Sequence, residues 1–147
     1  MTQSSRNKPQ SSARGASAVG TSLGRTVVAA VVAVVGIAWI VVYAAAGKDG
    51  GALGWMSDLG RWNYLIGFGL LLVGIALAAN PATPLGRGQG VVVGMLGCFL
   101  IGLVWIVAYY IFGQSGTIPV LSDLGQYNLV VGIGFMAVGF MYATRWE

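Results

Sequence analysis

Four apolar stretches, separated by short polar ones, dominate the chain. They run from about Thr26 to Ala46, Tyr64 to Ala79, Val91 to Phe112 and Leu129 to Ala143. A helix crosses the hydrocarbon layer with roughly 17–25 residues, each rising about 1.5 Å. The first and third stretches meet that length. The second and fourth fall short and reach it if Trp62–Asn63 and Tyr127–Asn128 carry the helix into the headgroup layer. No Asp, Glu, Lys or Arg interrupts any of the four. The pattern predicts an all-α integral membrane protein with four transmembrane helices.

The four stretches fall into two tandem copies of one unit. Gly36, Trp39, Ile40, Val41 and Tyr43 recur as Gly102, Trp105, Ile106, Val107 and Tyr109, at an offset of 66. Ser57-Asp58-Leu59-Gly60 recurs as Ser122-Asp123-Leu124-Gly125, at an offset of 65. Asn63, Gly67, Gly69, Val73 and Gly74 recur at that same offset as Asn128, Gly132, Gly134, Val138 and Gly139, so the second outer loop is one residue shorter. A unit of two helices enters and leaves on one side of the membrane. The copies are therefore parallel hairpins, whereas inverted repeats need an odd number of spans per unit. The expected organisation is a tail over residues 1–25, a first two-helix repeat over 26–79, a linker over 80–90 and a second repeat over 91–147.

Glycine makes up 24 of 147 residues, about twice the usual share of roughly 7%. Gly60, Gly67 and Gly74 stand seven apart, as do Gly125, Gly132 and Gly139, which places each series on one helix face. Ala29, Ala33 and Gly36 offer a similar spacing in the first stretch, and Gly90, Gly94 and Gly97 in the third, where Gly90 and Gly94 form a GxxxG. Helices in lipid gain little from hydrophobic association, and small residues let their backbones approach closely. Internal hairpin packing and docking of a partner helix are both open to these faces.

The outer loops share a texture. Trp55, Met56, Leu59 and Trp62 in the first, and Leu121, Leu124 and Tyr127 in the second, recur three or four apart, as in a short amphipathic turn at the interface. Ser57 or Asp58, and Ser122 or Asp123, are candidate caps for the start of that turn. Trp62 and Tyr64 suit the aromatic belt. Belt anchoring and a specific contact outside the cytoplasm are the two roles open to these loops.

Composition agrees with a lipid environment. The chain is 56% hydrophobic and 8% charged, with a mean hydropathy of +0.79, where a soluble domain carries about 25% charged residues. It has no His and one Cys, which removes the commonest metal ligand and general base. Cys98 lies in an apolar run and reads as packing, and two lone aspartates on separate loops do not make a metal or catalytic pair. No enzyme activity, cofactor or metal is expected.

The net charge of +4 is unevenly spread. Arg6, Lys8, Arg14 and Arg25 precede the first apolar stretch in a segment without acids that is rich in Ser, Gln, Asn and Gly. That segment reads as a disordered basic tail. It leads straight into a membrane span, so anionic lipid is its expected partner rather than nucleic acid. With Arg87 in the middle loop and Arg145 at the end, one side collects six basic residues. Lys48 and Arg61 give the other side two. The positive-inside rule then puts both termini and the middle loop in the cytoplasm of a multi-pass plasma-membrane protein. Ala44-Ala45-Ala46 before Gly47 has the look of a signal-peptidase site. The apolar run before it is longer than a signal core of about 7–15 residues, and the second copy has Tyr-Ile-Phe there.

The stretch Gly54-Trp55-Met56-Ser57-Asp58-Leu59-Gly60-Arg61-Trp62-Asn63-Tyr64-Leu65-Ile66-Gly67-Phe68 resembles the CrgA family of actinobacterial cell-division membrane proteins, with its W-M-x-x-L-G-x-W-N-Y signature at the entry to the second helix. Phe135-Met136-Ala137-Val138-Gly139 and Arg145-Trp146 resemble the family's carboxyl-terminal run. The usual member is one two-helix unit, so this chain resembles a tandem-duplicated form. The second copy departs from the signature with Tyr127-Asn128-Leu129, and the first runs into Asn80-Pro81 where the family has Arg-Trp. The resemblance implies a non-catalytic scaffold or regulator of septum formation at division septa. It would bind divisome proteins, with FtsZ on the cytoplasmic side and septal peptidoglycan-synthesis proteins within the membrane. A small channel or transporter, and a membrane protein of another assembly, are the alternatives. The lack of intramembrane charge weighs against ion-coupled transport. Homo-oligomerisation stays open, because the duplication itself can satisfy the pairing.

Overall fold

The computed structural model describes residues 14–145, with side chains from Leu23 onward. The described residues are helical and contain no strand. Helix α1 (Arg14–Val42) closes in one wide π turn (Tyr43–Gly47) and is followed by the short helix α2 (Gly54–Leu59) and by α3 (Trp62–Ala78). A 3-10 turn (Pro84–Gly86) leads to α4 (Gln89–Phe112), the short α5 (Pro119–Leu124) and α6 (Tyr127–Ala143). Each copy thus has the same order of long helix, short helix and 17-residue helix.

Two segments, Leu23–Gly47 and Gln89–Phe112, are long and apolar enough to cross a membrane, each with a mean hydropathy of 2.7. α3 and α6 are shorter apolar helices. They begin at Trp62 and Tyr127, so the Trp-Asn and Tyr-Asn pairs do extend them.

α1 starts well before the expected boundary at Thr26, so Arg14 and Arg25 lie inside the helix and not in a disordered tail. Proline is absent between Pro9 and Pro81, and nothing in the intervening sequence stops the helix from extending backwards. Arg6 and Lys8 lie outside the described residues. The linker is tightly folded. Thr83 is buried, with its hydroxyl donating to Ala78 O and to Asn80 O (2.8 Å). Asn80 Oδ1 accepts the Ala82 amide at 3.0 Å, and the Arg87 side chain donates to Pro81 O.

α1 packs antiparallel on α3, and α4 on α6. Tyr43, Met56, Tyr64, Phe68, Leu124, Val131 and Phe135 form one core. Ala79, Val91, Cys98, Val138 and Tyr142 form a second.

Candidate functional site

Three arrangements carry the residues singled out by the sequence: the seam inside each hairpin, the turn at its outer end, and the contact between the two copies.

Both glycine seams are spent inside their hairpins. A β-carbon on Gly74 would lie 2.5 Å from Ala33 N and 2.8 Å from Ala29 O. One on Gly36 would lie 2.6 Å from Gly67 O, and one on Gly67 would overlap the Ile40 side chain. The second hairpin repeats the arrangement. Gly102 meets Gly132 O at 2.7 Å, Gly132 meets Ile106, and Gly139 meets Met95 O at 3.3 Å. Gly94 faces the ring of Tyr142, and Gly90 faces the backbone of Pro84 and Leu85, so the GxxxG of α4 meets α6 and the linker. Gly60 and Gly125 do not join these faces. They precede α3 and α6, at φ +52 in both cases, and nothing lies within 4 Å of their missing β-carbons. Their task is the reversal after α2 and α5, in a conformation where a side chain is strained.

Asparagine fixes each outer turn. Asn63 is fully buried, and its Nδ2 donates to Met56 O (2.6 Å) and Gly60 O (3.0 Å). Asn128 does the same to Leu121 O (2.7 Å) and Gly125 O (2.8 Å). The first residues of α3 and α6 are thereby tied to the ends of the short helices. Met56, Leu121 and Leu124 are buried beneath, while Trp55 and Trp62 project outward. Ser57, Asp58, Ser122 and Asp123 are not N-caps: α2 and α5 begin earlier, after Leu53 and Ile118, with Pro119 at the head of α5. Ser57 Oγ donates back to Gly54 O (2.5 Å) and Ser122 Oγ to Ile118 O (3.2 Å).

The contact between the copies is one-sided. Phe68, Leu72 and Ile75 form a ridge on α3 that enters the groove between α4 and α6. The Phe68 ring meets Trp105 edge to face at 4.9 Å. Leu72 fills the space at Gly134, where a β-carbon would be 2.6 Å from Leu72 Cδ1, and Tyr142 donates its hydroxyl to Ile75 O at 3.0 Å. At the outer end, Lys48 pairs with Asp123, which also accepts from the Tyr64 hydroxyl at 3.2 Å. Arg61 lies over the Tyr127 ring at 5.7 Å. Partial burial works against the Lys48 ammonium, but its hydrogen bonds to Asp123 and Tyr64 outweigh this and hold its pKa above the ordinary lysine value. The sequence gives no warning of this seam, because the ridge and the exposed positions beside it are equally apolar. The spare pair Gly69 and Gly134, outside the sevenfold series, is its one visible trace.

The family model described as cell division protein CrgA matches residues 1–80 and 85–147. Among curated proteins, the chain is similar to a cell division protein CrgA of Streptomyces avermitilis, 47% identical over 53 residues, which cover 36% of this chain and 60% of that one. It is also similar to CrgA of Corynebacterium aurimucosum, 38% identical over 53 residues (36% of this chain, 56% of that one). A Mycobacterium sp. CrgA is 38% identical over 57 residues (35% and 61%). The matched stretches span about six-tenths of these relatives' length. No solved structure matches.

Proposed function

The chain belongs to the CrgA family of cell-division proteins, and from that premise we propose that it is a multi-pass membrane scaffold of septum formation, without catalytic activity. The observation that carries the reading is the family match on either side of the linker, over residues 1–80 and 85–147. Two copies of the family's unit in one chain supply two sets of outer turns and a fixed relation between them.

All four long helices span the bilayer in this reading. α3 and α6 have 17 residues each, the lower end of the length that crosses. Trp62 and Tyr127 mark their outer ends in the aromatic belt. Both termini and the linker lie in the cytoplasm, by the six-to-two distribution of Lys and Arg. The basic amino-terminal segment binds anionic lipid and cytoplasmic division proteins such as FtsZ. Septal peptidoglycan-synthesis proteins bind within the membrane and at the outer turns. The Gly67, Gly74, Gly132 and Gly139 faces are already filled, so helices of such partners dock on the outer surfaces of the hairpins.

Complementation tests this function. An actinobacterium lacking its own CrgA, with disturbed septum placement, regains regular septa when this chain is expressed. Unchanged septa in cells where the chain is stably inserted reject the reading.

A further inference from the structure

The contact between the two copies is heterologous: a ridge on one meets a groove on the other, and the corresponding groove and ridge remain open. The groove residues recur in the first copy with little change. Gly134, Val138 and Asp123 correspond to Gly69, Val73 and Asp58, while two aromatic positions become aliphatic, Phe135 to Leu70 and Tyr142 to Leu77. In the second copy these positions are filled. Val138 is 7% exposed, Gly134 is covered by Leu72, and Asp123 is paired. In the first they are free: Val73 is 52% exposed, nothing lies within 4 Å of a β-carbon on Gly69, and Asp58 is exposed. The ridge behaves in the same way. Phe68, Leu72 and Ile75 correspond to Ile133, Ala137 and Phe140, and all three of the latter are exposed and apolar.

A two-fold pair would use both ridges and both grooves at once. A head-to-tail pair leaves one of each, and identical units then add in series. We propose that the occupant of the open α1–α3 groove is a second copy of this chain, whose Ile133–Ala137–Phe140 ridge sits over Gly69 as Leu72 sits over Gly134. The chain is thus a two-unit segment of a longer head-to-tail array in the membrane. The seam between copies is weaker than the internal one. The counterpart of Lys48 is Gly113 or Gln114, neither of them basic, and Leu129 stands in place of Tyr64. Association is therefore concentration-dependent, while the internal contact is permanent. The inference rests on the membrane-embedded reading above and goes beyond it in naming the occupant.

Cysteine cross-linking in native membranes tests it. Two differently tagged full chains, both Cys98→Ala, are co-expressed, one carrying Gly69→Cys and the other Ala137→Cys. A carboxyl-terminal fluorescent fusion reports insertion independently, so failed insertion and failed association are told apart. Oxidation is expected to give an adduct carrying both tags, at least tenfold above the Ile37→Cys with Leu103→Cys control, whose positions are exposed on the two long helices. Adding Val73→Trp to the Gly69→Cys chain is expected to cut the adduct at least fivefold and to leave its thermal unfolding midpoint unchanged. Three results in inserted protein overturn the proposal: adduct no higher than the control, Gly69→Cys joined only to itself, or Gly69→Cys joined only to a different protein.

Discussion

A single methyl group at Gly74 tests how the hairpins are held together. The β-carbon of Gly74→Ala would sit 2.5 Å from Ala33 N and 2.8 Å from Ala29 O and Ala33 Cα. All three neighbours are backbone of a regular helix, so no side chain can rotate away. Restoring ordinary contact moves α1 and α3 apart by roughly 0.9 Å, a gap that forfeits a quarter to a half of each dispersion contact along the seam. Overpacking of this kind costs about 1–3 kcal/mol. Alanine returns about 0.5–1 kcal/mol through its better helix propensity. The net expectation is a loss of up to about 2.5 kcal/mol and centrally about 1.3 kcal/mol, roughly tenfold in the folding equilibrium. Gly69→Ala is the matched control: the same change in the same helix, with nothing within 4 Å of the new carbon. It is expected to be neutral or stabilising by up to about 1 kcal/mol. Unfolding by dodecyl sulfate in mixed micelles, followed by tryptophan fluorescence, separates the two. Equal midpoints for the two variants would refute the seam as described.

Three further expectations follow from the turns and the outer contact. Asn63→Ala and Asn128→Ala each remove two donations, one buried and one part-buried. Each should cost about 1–3 kcal/mol and speed amide exchange in α2 or α5, as read by hydrogen–deuterium exchange. Gly60→Ala and Gly125→Ala force a side chain into φ +52 and should cost about 1–3 kcal/mol in the same unfolding assay. The Lys48 pKa is raised, so the stabilisation from its pairing is full below the unfolded value near about 10.4 and fades as pH rises through the folded one. Lys48→Met should abolish that alkaline component, measured as the difference in unfolding midpoint between pH 9 and pH 11.

The sequence makes the hairpins legible for a physical reason. Glycine is costly in a helix interior, so its recurrence at Gly67, Gly74, Gly132 and Gly139 marks places where backbones meet. The asparagines are visible as a repeated pair, but their bonds to Met56 O and Leu121 O depend on the turn geometry and not on any local motif. Gly60 and Gly125 share the sevenfold spacing by coincidence with their turn role, and only φ distinguishes the two uses. The relation between the copies is hidden, because Phe68, Leu72 and Ile75 are chemically indistinguishable from the exposed Ile66, Val73 and Leu77 of the same helix. In water a hydrophobic stripe shows which face is buried, but in lipid every face is apolar and that signal is lost. The serines mislead for the opposite reason. Residues typical of N-caps sit at Ser57 and Ser122, but the short helices have already begun, and the hydroxyls turn back to the preceding carbonyls.

The most direct test of the central claim is imaging of a carboxyl-terminal green fluorescent fusion in dividing actinobacterial cells. A fluorescent band at the septa is the expected result, since it requires both a cytoplasmic terminus and recruitment to the division site. An even rim around the cell would contradict the septation role, and a stable but dark fusion would contradict the four-span topology.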